Sequence, residues 1–199
     1  MSNQNQILRK DLRTKRRKIS MLEQKHSENF TLQRLIKNPK FKTAHNIGIY
    51  LHSFGELHTG KMIEYCFKHH KNVYLPLICN MNKTLRWVKI SHQQYTNKRF
   101  VLHKLGMLQP MASRASHVSH LDVLLMPLLA CDAVGIRMGM GGGFYDRTLA
   151  SAPFKPYRLG LAHDFQFLQQ RLQKNPWDQP LHALITPTKF VRFQCQISQ

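Results

Sequence analysis

The sequence predicts an α/β fold: a Rossmann-like, three-layer α/β/α arrangement in which a mostly parallel sheet lies between helices. Strand-like apolar runs alternate along the chain with segments of helical periodicity, which is the pattern of parallel sheets. The most apolar run, residues 121–129, has the near-continuous hydrophobicity of a strand that is buried on both faces. The length, 199 residues, is typical of one domain, so we expect a single domain over residues 1–199.

Two helices are predicted at the start of the chain. Residues 1–20 are strongly basic, and Ile7, Leu8 and Leu12 give them one modest apolar face. Ser20 and Glu23 have the spacing of a capping box, which predicts a second helix over about residues 21–37. The residues of this helix that we expect in the core are Leu22, Leu32, Leu35 and Ile36. Asn38-Pro39 is expected to end it.

The remaining elements follow from periodicity and breakers. Strands are predicted at 47–51, at 73–78 with a break at Pro76, at 84–90, at 158–162 and, as the last strand, at 181–186, with a weaker candidate at 99–103. Helices are predicted at 60–70, with Thr59 as the cap, at 144–150 and at 164–172. Residues 104–120 are interpreted as a loop.

Composition excludes several classes of protein. Apolar residues make up 42% of the chain, and no run approaches the 18 or so apolar residues of a membrane span. The polar, basic N-terminus is not a secretory signal. The cysteines form no C-x-x-C, so we expect no zinc ribbon and instead reduced thiols in a cytoplasmic protein. The four cysteines are Cys66, Cys79, Cys131 and Cys195.

The chain is strongly basic, with 30 Lys and Arg against 10 Asp and Glu and a net charge of +20. Such a surface attracts polyanions. On charge alone, a solvated basic surface without a dedicated partner is the favoured interpretation. A basic module that binds RNA or nucleotides without catalysis is the alternative, although the aromatic-rich RNA-binding signatures are missing.

A glycine-rich loop follows the most apolar strand and opens a helix. It holds five of the ten glycines of the chain, within residues 131–146. Glycines let backbone amides approach a ligand, the helix start adds a positive dipole end, and Arg137 adds a guanidinium. Asp146 would repel a bound phosphate unless a cation such as Mg²⁺ lay between them. The alternative is a tight turn in which Asp146 merely favours the helix start.

The loop is not one of the common nucleotide motifs. It has no Gly-Lys-Ser/Thr, as a P-loop requires, and Phe144 stands where the dinucleotide fingerprint needs its third glycine. The residues alone therefore indicate a phosphate-bearing ligand and leave the reaction open.

The run from Arg137 to Asp146, RMGMGGGFYD, resembles the signature R-x-G-x-G-x-G-[YF]-Y-D of the 5-formyltetrahydrofolate cyclo-ligase (methenyltetrahydrofolate synthetase) family. The resemblance extends over nearly the whole chain. The other segments that match in order are 8–10 with 16–20, 49–51, 55–59, 73–76, 121–127 and 160–166.

The resemblance implies conversion of 5-formyltetrahydrofolate to 5,10-methenyltetrahydrofolate with ATP and Mg²⁺, releasing ADP and phosphate. The formyl oxygen would attack the γ-phosphate, and the 10-position nitrogen would then close the ring and expel phosphate. The implied protein is a monomeric cytoplasmic enzyme that acts on free or polyglutamylated folate, without a membrane or dedicated nucleic-acid partner.

The resemblance also assigns site residues, which we take as expectations. Catalytic positions are Arg137, Tyr145 and Asp146. ATP positions are Asn5, Arg9, Arg137, Met138, Gly139, Met140, Gly141, Gly142, Gly143, Phe144 and Tyr145. Folate positions are Leu51, Glu56, Met140, Gly141, Gly142, Gly143 and Phe144. Magnesium positions are Asp146 and Asp178. Asn5 stands where the family often has lysine, so Lys10 or another basic residue is expected to substitute; most other basic residues of this helix are interpreted as solvated.

Several positions keep an alternative interpretation. Glu56, which has the chemistry to accept two N–H groups of a pterin, is otherwise a surface acid. Tyr145 is otherwise a core aromatic, and Asp178 an ordinary turn aspartate. Trp87 and Trp177 are both candidates for the lining of a pterin pocket. His117 and His120 are interpreted as surface residues.

Overall fold

Twelve short strands and six helices make up the described part of this computed structural model, which covers residues 3–111 and 114–194. The strands are β1 (Asn46–Gly48), β2 (Asn72–Cys79), β3 (Thr84–Ile90), β4 (Phe100–Leu102), β5 (Leu108–Pro110), β6 (Val123–Pro127), β7 (Ala130–Asp132), β8 (Arg137–Met138), β9 (Tyr157–Leu161), β10 (Phe167–Leu168), β11 (Ala183–Ile185) and β12 (Phe190–Arg192). The helices are α1 (Asn3–Arg17), α2 (Met21–Leu35), α3 (Pro39–Thr43), α4 (Gly60–Lys68), α5 (His92–Thr96) and α6 (Phe144–Ala150).

Seven strands form the central sheet, in the order β12-β11-β9-β6-β1-β2-β3. The five inner strands are parallel, whereas β3 and β12 pair antiparallel with their neighbours at the two edges. β7, β8 and β10 form a separate small sheet, and β4 pairs with β5 in a hairpin. The predicted α/β class with a mostly parallel sheet is therefore confirmed.

Both faces of the sheet are covered by apolar side chains. Along β6, Val123 and Leu125 belong to one buried cluster and Leu124 and Met126 to the other, because successive strand side chains point to opposite faces. The first cluster packs against residues of α2, α3 and α4. The second packs against α6 and the turn at residues 118–121. β6 is thus the middle strand of a sheet that forms the central one of three layers.

The second helix begins at the predicted residue but ends at Leu35, two residues early, and the burial of its first turn differs from the prediction. Leu22, expected in the core, is 64% exposed, whereas Leu35 is fully buried. The predicted capping box of Ser20 and Glu23 is present, and Met21 and Leu22 in the first helical turn both lie at the surface. Asn38 does more than end the helix, because its side chain accepts a hydrogen bond from the Phe41 N–H and caps α3.

Several strand predictions are correct in place but wrong in extent. β1 covers three residues instead of the predicted five. β2 runs through Pro76 without a break, because the pairing with β1 already ends at Tyr74. The apolar run 121–129 divides into β6 and a connection to β7. The predicted loop 104–120 contains β5, and β12 follows the strand that was expected to be the last.

Residues 164–172 do not form the predicted helix. A single 3₁₀ turn, Asp164–Gln166, is followed by β10, which pairs with β7. The buried Gln166 side chain donates hydrogen bonds to the carbonyls of Leu128 at 2.7 Å and Leu129 at 3.1 Å. These long-range contacts hold the segment against the end of β6, and a helix would break them.

Thr59 precedes α4 as predicted, but its side chain makes no capping hydrogen bond. Its hydroxyl donates to the carbonyl of Tyr50 at 2.7 Å, so the residue fixes the segment after β1 instead.

Two findings bear on the excluded classes. Within residues 3–111 and 114–194, no helix has the length and apolar character to span a membrane. Cys66, Cys79 and Cys131 are free thiols, and Cys195 lies outside the described residues.

Leu35 and Leu22 provide a matched test of the core, because both lie on α2. Leu35→Ala is expected to lower the free energy of unfolding by about 2–5 kcal/mol, since it leaves a cavity among buried side chains. Leu22→Ala is expected to change it by less than about 0.5 kcal/mol. Urea denaturation measures both, and equal losses would contradict the assignment of the core to this face of α2.

Candidate active site

A cavity of about 710 Å³ opens at the carboxyl ends of β1 and β6. Tyr50 and Leu51 follow β1 and line one side, and Pro127 and Leu128 at the end of β6 line the floor. The glycine-rich loop and one face of α1 form further parts of the wall. Ligands of parallel sheets bind at such edges, because the loops after parallel strands converge there.

All residues that the sequence analysis assigned to the site lie in the wall of this one cavity. They are Asn5, Arg9, Leu51, Glu56, Arg137, Met138, Gly139, Met140, Gly141, Gly142, Gly143, Phe144, Tyr145, Asp146 and Asp178. They come from the two ends and the middle of the chain, so the fold, and not sequence proximity, brings them together. Their individual roles stay predictions.

The glycine-rich loop presents backbone to the cavity. Gly141 has φ = 102°, which side-chain-bearing residues rarely adopt, and a Cβ added there would meet no atom within 4 Å. Gly141 also lines the cavity, so the absence of a side chain leaves room for a ligand there.

Arg137 and Asp146 form an ion pair in the wall. Arg137 Nη2 lies 2.7 Å from Asp146 Oδ1, and the Arg137 side chain is 4% exposed. The same Asp146 oxygen accepts a hydrogen bond from the Gln179 N–H at 3.1 Å. Within the described parts of the chain, the buried Arg137 Nε has no hydrogen-bond partner. The predicted phosphate-binding and metal-binding side chains therefore restrain each other.

Asp178 precedes Gln179, whose N–H donates a hydrogen bond to Asp146, so the fold brings the segment that carries Asp178 to Asp146. Its Oδ2 accepts hydrogen bonds from the backbone N–H of Asn175 at 2.7 Å and from the Asn175 side chain at 3.1 Å. Asp178 thus stabilises the turn at residues 175–178, as expected of an ordinary turn aspartate, and it also lines the cavity.

This donor set fits Mg²⁺. Magnesium in nucleotide sites is held by one or two carboxylates and takes its other ligands from phosphate and water. Two cavity aspartates supply such carboxylates. No group of three or more His, Cys, Asp or Glu residues capable of holding a metal occurs within residues 3–111 and 114–194. The residues present therefore suit a metal that arrives with a phosphate ligand.

Glu56 faces the other side of the cavity. Its side chain is only 11% exposed, so the surface-acid interpretation is wrong. Oε2 accepts a hydrogen bond from the Ser53 N–H at 3.1 Å, and Oε1 lies 3.9 Å from Arg16 Nη1. Burial raises the pKa of Glu56, and the positive charge of Arg16 acts in the opposite direction.

The three aromatic candidates, Tyr145, Trp177 and Trp87, differ in whether they line the cavity. Tyr145 lines the cavity and packs against the second core cluster, with its ring centroid 5.5 Å from the Arg137 guanidinium. Burial raises the pKa of its hydroxyl. Trp177 is exposed and lines the cavity. Trp87 is fully buried in the core and does not line the cavity, so it is excluded from a pterin pocket.

The two candidate surface histidines lie apart from the cavity. His117 contacts Ser151, and His120 contacts the Tyr74 hydroxyl.

α1 holds the glycine-rich loop through its side chains. Arg9 Nε donates to the carbonyl of Gly139 at 3.4 Å, and Arg13 Nη2 donates to that of Met140 at 2.9 Å. The Asn5 amide donates to the side chain of Gln173 at 3.2 Å. Lys10, offered above as a substitute for a lysine at position 5, is exposed and lies outside the lining of the cavity.

Several parts of the wall were missed by sequence reasoning, among them Arg16 and the hairpin of β4 and β5. Arg16 was given no role within a basic helix that was interpreted as mostly solvated, but it is buried and lines the cavity. Its position four residues after Leu12 on the buried face of α1 was an available signal. The hairpin of β4 and β5 contributes Leu105, Met107, Leu108 and Gln109. Its short strands carried no comparable signal.

The sequence is similar to those of known proteins along nearly its full length. A sequence model described as the 5-formyltetrahydrofolate cyclo-ligase family matches residues 1–187. The 5-formyltetrahydrofolate cyclo-ligase of Escherichia coli strain K12 is 35% identical over 181 residues, which cover 89% of this chain and 97% of the relative. That of Haemophilus influenzae is 30% identical over 187 residues, covering 90% of this chain and 96% of the relative.

A solved structure gives the same result for the fold. The NMR structure of Aquifex aeolicus 5,10-methenyltetrahydrofolate synthetase superimposes with a TM-score of 0.80 and 25% sequence identity, covering 98% of this chain and 95% of that chain. With the family signature in the wall of the cavity and a match along nearly its full length, this chain belongs to the 5-formyltetrahydrofolate cyclo-ligase family.

Proposed function

We propose that the protein converts 5-formyltetrahydrofolate to 5,10-methenyltetrahydrofolate, consuming ATP with Mg²⁺ and releasing ADP and phosphate. One observation supports this reaction above all: a single cavity collects the glycine-rich loop, the acid Glu56 and the two aspartates. The relatives named above carry the name of this activity. A site for ATP beside a site for folate is what the reaction requires.

The two substrates would occupy different sides of the cavity. Arg9 and the glycine-rich loop would bind the phosphates of ATP, since backbone amides and a guanidinium suit phosphate oxygens. Leu51 and Glu56 would bind the folate, with the Glu56 carboxylate accepting two N–H groups of the pterin ring. Met140 to Phe144 would contact both substrates.

The chemistry then requires alignment more than covalent help from the protein. The formyl oxygen attacks the γ-phosphorus and ADP leaves, which gives a phosphorylated formyl group. The 10-position nitrogen attacks the formyl carbon and loses its proton, the carbon–oxygen bond breaks, and phosphate departs. Phosphorylation is needed because a formamide oxygen is a very poor leaving group. The cavity would hold the oxygen and phosphorus in line, and Arg137 and Tyr145 would face the developing charge.

Asp146 and Asp178 would hold the magnesium ion. When bound, the ion neutralises charge on the phosphate oxygens. The Arg137–Asp146 ion pair keeps both side chains at the wall before ATP arrives, so they need little reorganisation.

We propose further that residues 1–199 act as one catalytic domain, with α1 as part of the ATP side, and that the enzyme is a cytoplasmic monomer. The net charge of +20 would attract ATP and folates that carry polyglutamate tails.

The direct test is an absorbance assay for methenyltetrahydrofolate. Purified protein with 5-formyltetrahydrofolate, ATP and Mg²⁺ is expected to form the product, and omission of ATP or Mg²⁺ is expected to stop it. Folded protein that forms no product under these conditions would overturn the proposal.

Asp146→Asn is expected to lower kcat about 100-fold, because an amide is a poor magnesium ligand and no longer pairs with Arg137. The Mg²⁺ concentration needed for ATP binding, measured by calorimetry, is expected to rise. Asp11→Asn, on the exposed face of α1, is the matched control and should leave both unchanged. Normal turnover in Asp146→Asn would remove this residue from the mechanism.

Gly141→Val is expected to weaken ATP binding about tenfold or more, because the added side chain occupies open space in the cavity and the backbone there has positive φ. Gly60→Ala serves as the control: its Cβ would make only ordinary contacts, 3.5 Å from the nearest atoms. An unchanged ATP dissociation constant in Gly141→Val, measured by calorimetry, would show that ATP binds elsewhere.

A further inference from the structure

Arg16 is a buried cation at the centre of the cavity wall. It lies near the end of α1 and is 1% exposed. A buried guanidinium must be paired and hydrogen-bonded, because removal of its charge from water is otherwise very costly. Burial lowers the pKa of Arg16 from its ordinary value, and the nearby charge of Glu56 acts in the opposite direction.

The partners of Arg16 come from three different segments of the wall. Nε donates to the carbonyl of Phe54 at 2.9 Å, beside Glu56. Nη1 donates to the carbonyl of Leu128 at 3.3 Å, at the end of β6. Nη2 lies 3.7 Å from Met140 Sδ, in the glycine-rich loop. One planar side chain therefore connects the folate side, the floor and the ATP side of the cavity.

The backbone of α1 reinforces this connection. Gly55 packs so closely on α1 that a Cβ there would lie 2.4 Å from the carbonyl oxygen of Arg16. The Gln24 side chain of α2 donates to the Gly55 carbonyl at 3.2 Å. The loop that carries Glu56 is thus held from two helices, and Arg16 extends from one of them toward the carboxylate.

Three of the titratable groups around Glu56 and Arg16 carry no charge at pH 6–8. Burial raises the pKa of the Tyr50 and Tyr145 hydroxyls, so both remain protonated. Burial lowers the pKa of His163, beside Gly55 and Arg16, to about 4, so it remains uncharged. The charge balance around Glu56 therefore depends chiefly on Arg16, 3.9 Å from its Oε1.

We propose that Arg16 is a positioning residue for folate binding: it holds the Glu56 carboxylate toward the pterin and fixes its loop relative to the glycine-rich loop. This inference rests on the proposed function. It assigns to α1 a role on the folate side of the cavity, in addition to the expected role of that helix on the ATP side.

Steady-state kinetics of Arg16→Met test this role. The variant removes the charge and the donors but keeps much of the length of the side chain. KM for 5-formyltetrahydrofolate is expected to rise about tenfold or more, with a smaller change in KM for ATP, because hydrogen bonds to a charged group are lost on the folate side. Arg17→Met, which removes an exposed charge at the next position, should match the wild type within about twofold.

The pH profile separates positioning from a general loss of structure. Glu56 accepts an N–H group of the pterin on each of its two oxygens only when it is ionised, so kcat/KM for folate is expected to fall as the pH drops through the pKa of this carboxyl group. Arg16 lowers that pKa, so its removal is expected to move the acid limb of the profile to higher pH. In a Glu56→Gln background, Arg16→Met should no longer move the acid limb, because the titrating group is gone.

Arg16→Lys provides a second variant if Arg16→Met does not fold. It keeps the charge but loses the planar fork, so the acid limb should stay near the wild-type pH while KM for folate rises. If the wild type is active and KM for folate is unchanged in both variants, the inference is overturned. The same holds for an unchanged KM in Arg16→Lys when only that variant folds. An inactive wild type would instead overturn the proposed function and this role together.

Discussion

β6 is buried on both faces, and this burial fixes where the site must be. Its alternate side chains enter two separate apolar clusters, and its parallel neighbours β1 and β9 run in the same direction. Chain segments that leave these strands therefore emerge at one edge. The carboxyl end of β6 supplies Leu128, whose carbonyl accepts hydrogen bonds from both Arg16 and Gln166. The cavity is the space that these converging segments leave between them.

The two sides of the cavity share one electrostatic arrangement. Each has a carboxylate next to a buried arginine: Glu56 beside Arg16, and Asp146 beside Arg137. In a chain with only 10 acidic residues against 30 Lys and Arg, three acids, Glu56, Asp146 and Asp178, line this one cavity, and two of them pair with a buried arginine. A buried pair adds little to stability on balance, but removal of one partner leaves an uncompensated charge. The arrangement therefore favours fixed positions over added stability, which would suit the proposed alignment of ATP and folate.

Much of the site was predictable because its residues carry local signals. The glycine-rich loop follows an apolar strand and opens a helix, so its own residues indicated a phosphate-bearing ligand. Glu56 and the other positions outside this loop were assigned through the family resemblance. Arg16 was missed because a basic helix is usually solvated, and only its helical spacing from Leu12 pointed inward. The helix predicted at 164–172 failed for a different reason: Gln166 bonds to the end of β6, a contact between distant parts of the chain that periodicity does not report.

The close packing of Gly55 on α1 has a consequence for any attempt to alter the cavity. Every other amino acid would place an atom 2.4 Å from a main-chain oxygen, which belongs to a helix and has no alternative rotamer to adopt. Position 55 is thus closed to variation even though its neighbours Phe54 and Glu56 face the cavity. A mutant library designed to broaden the range of accepted pterins would therefore randomise those neighbours and keep the glycine.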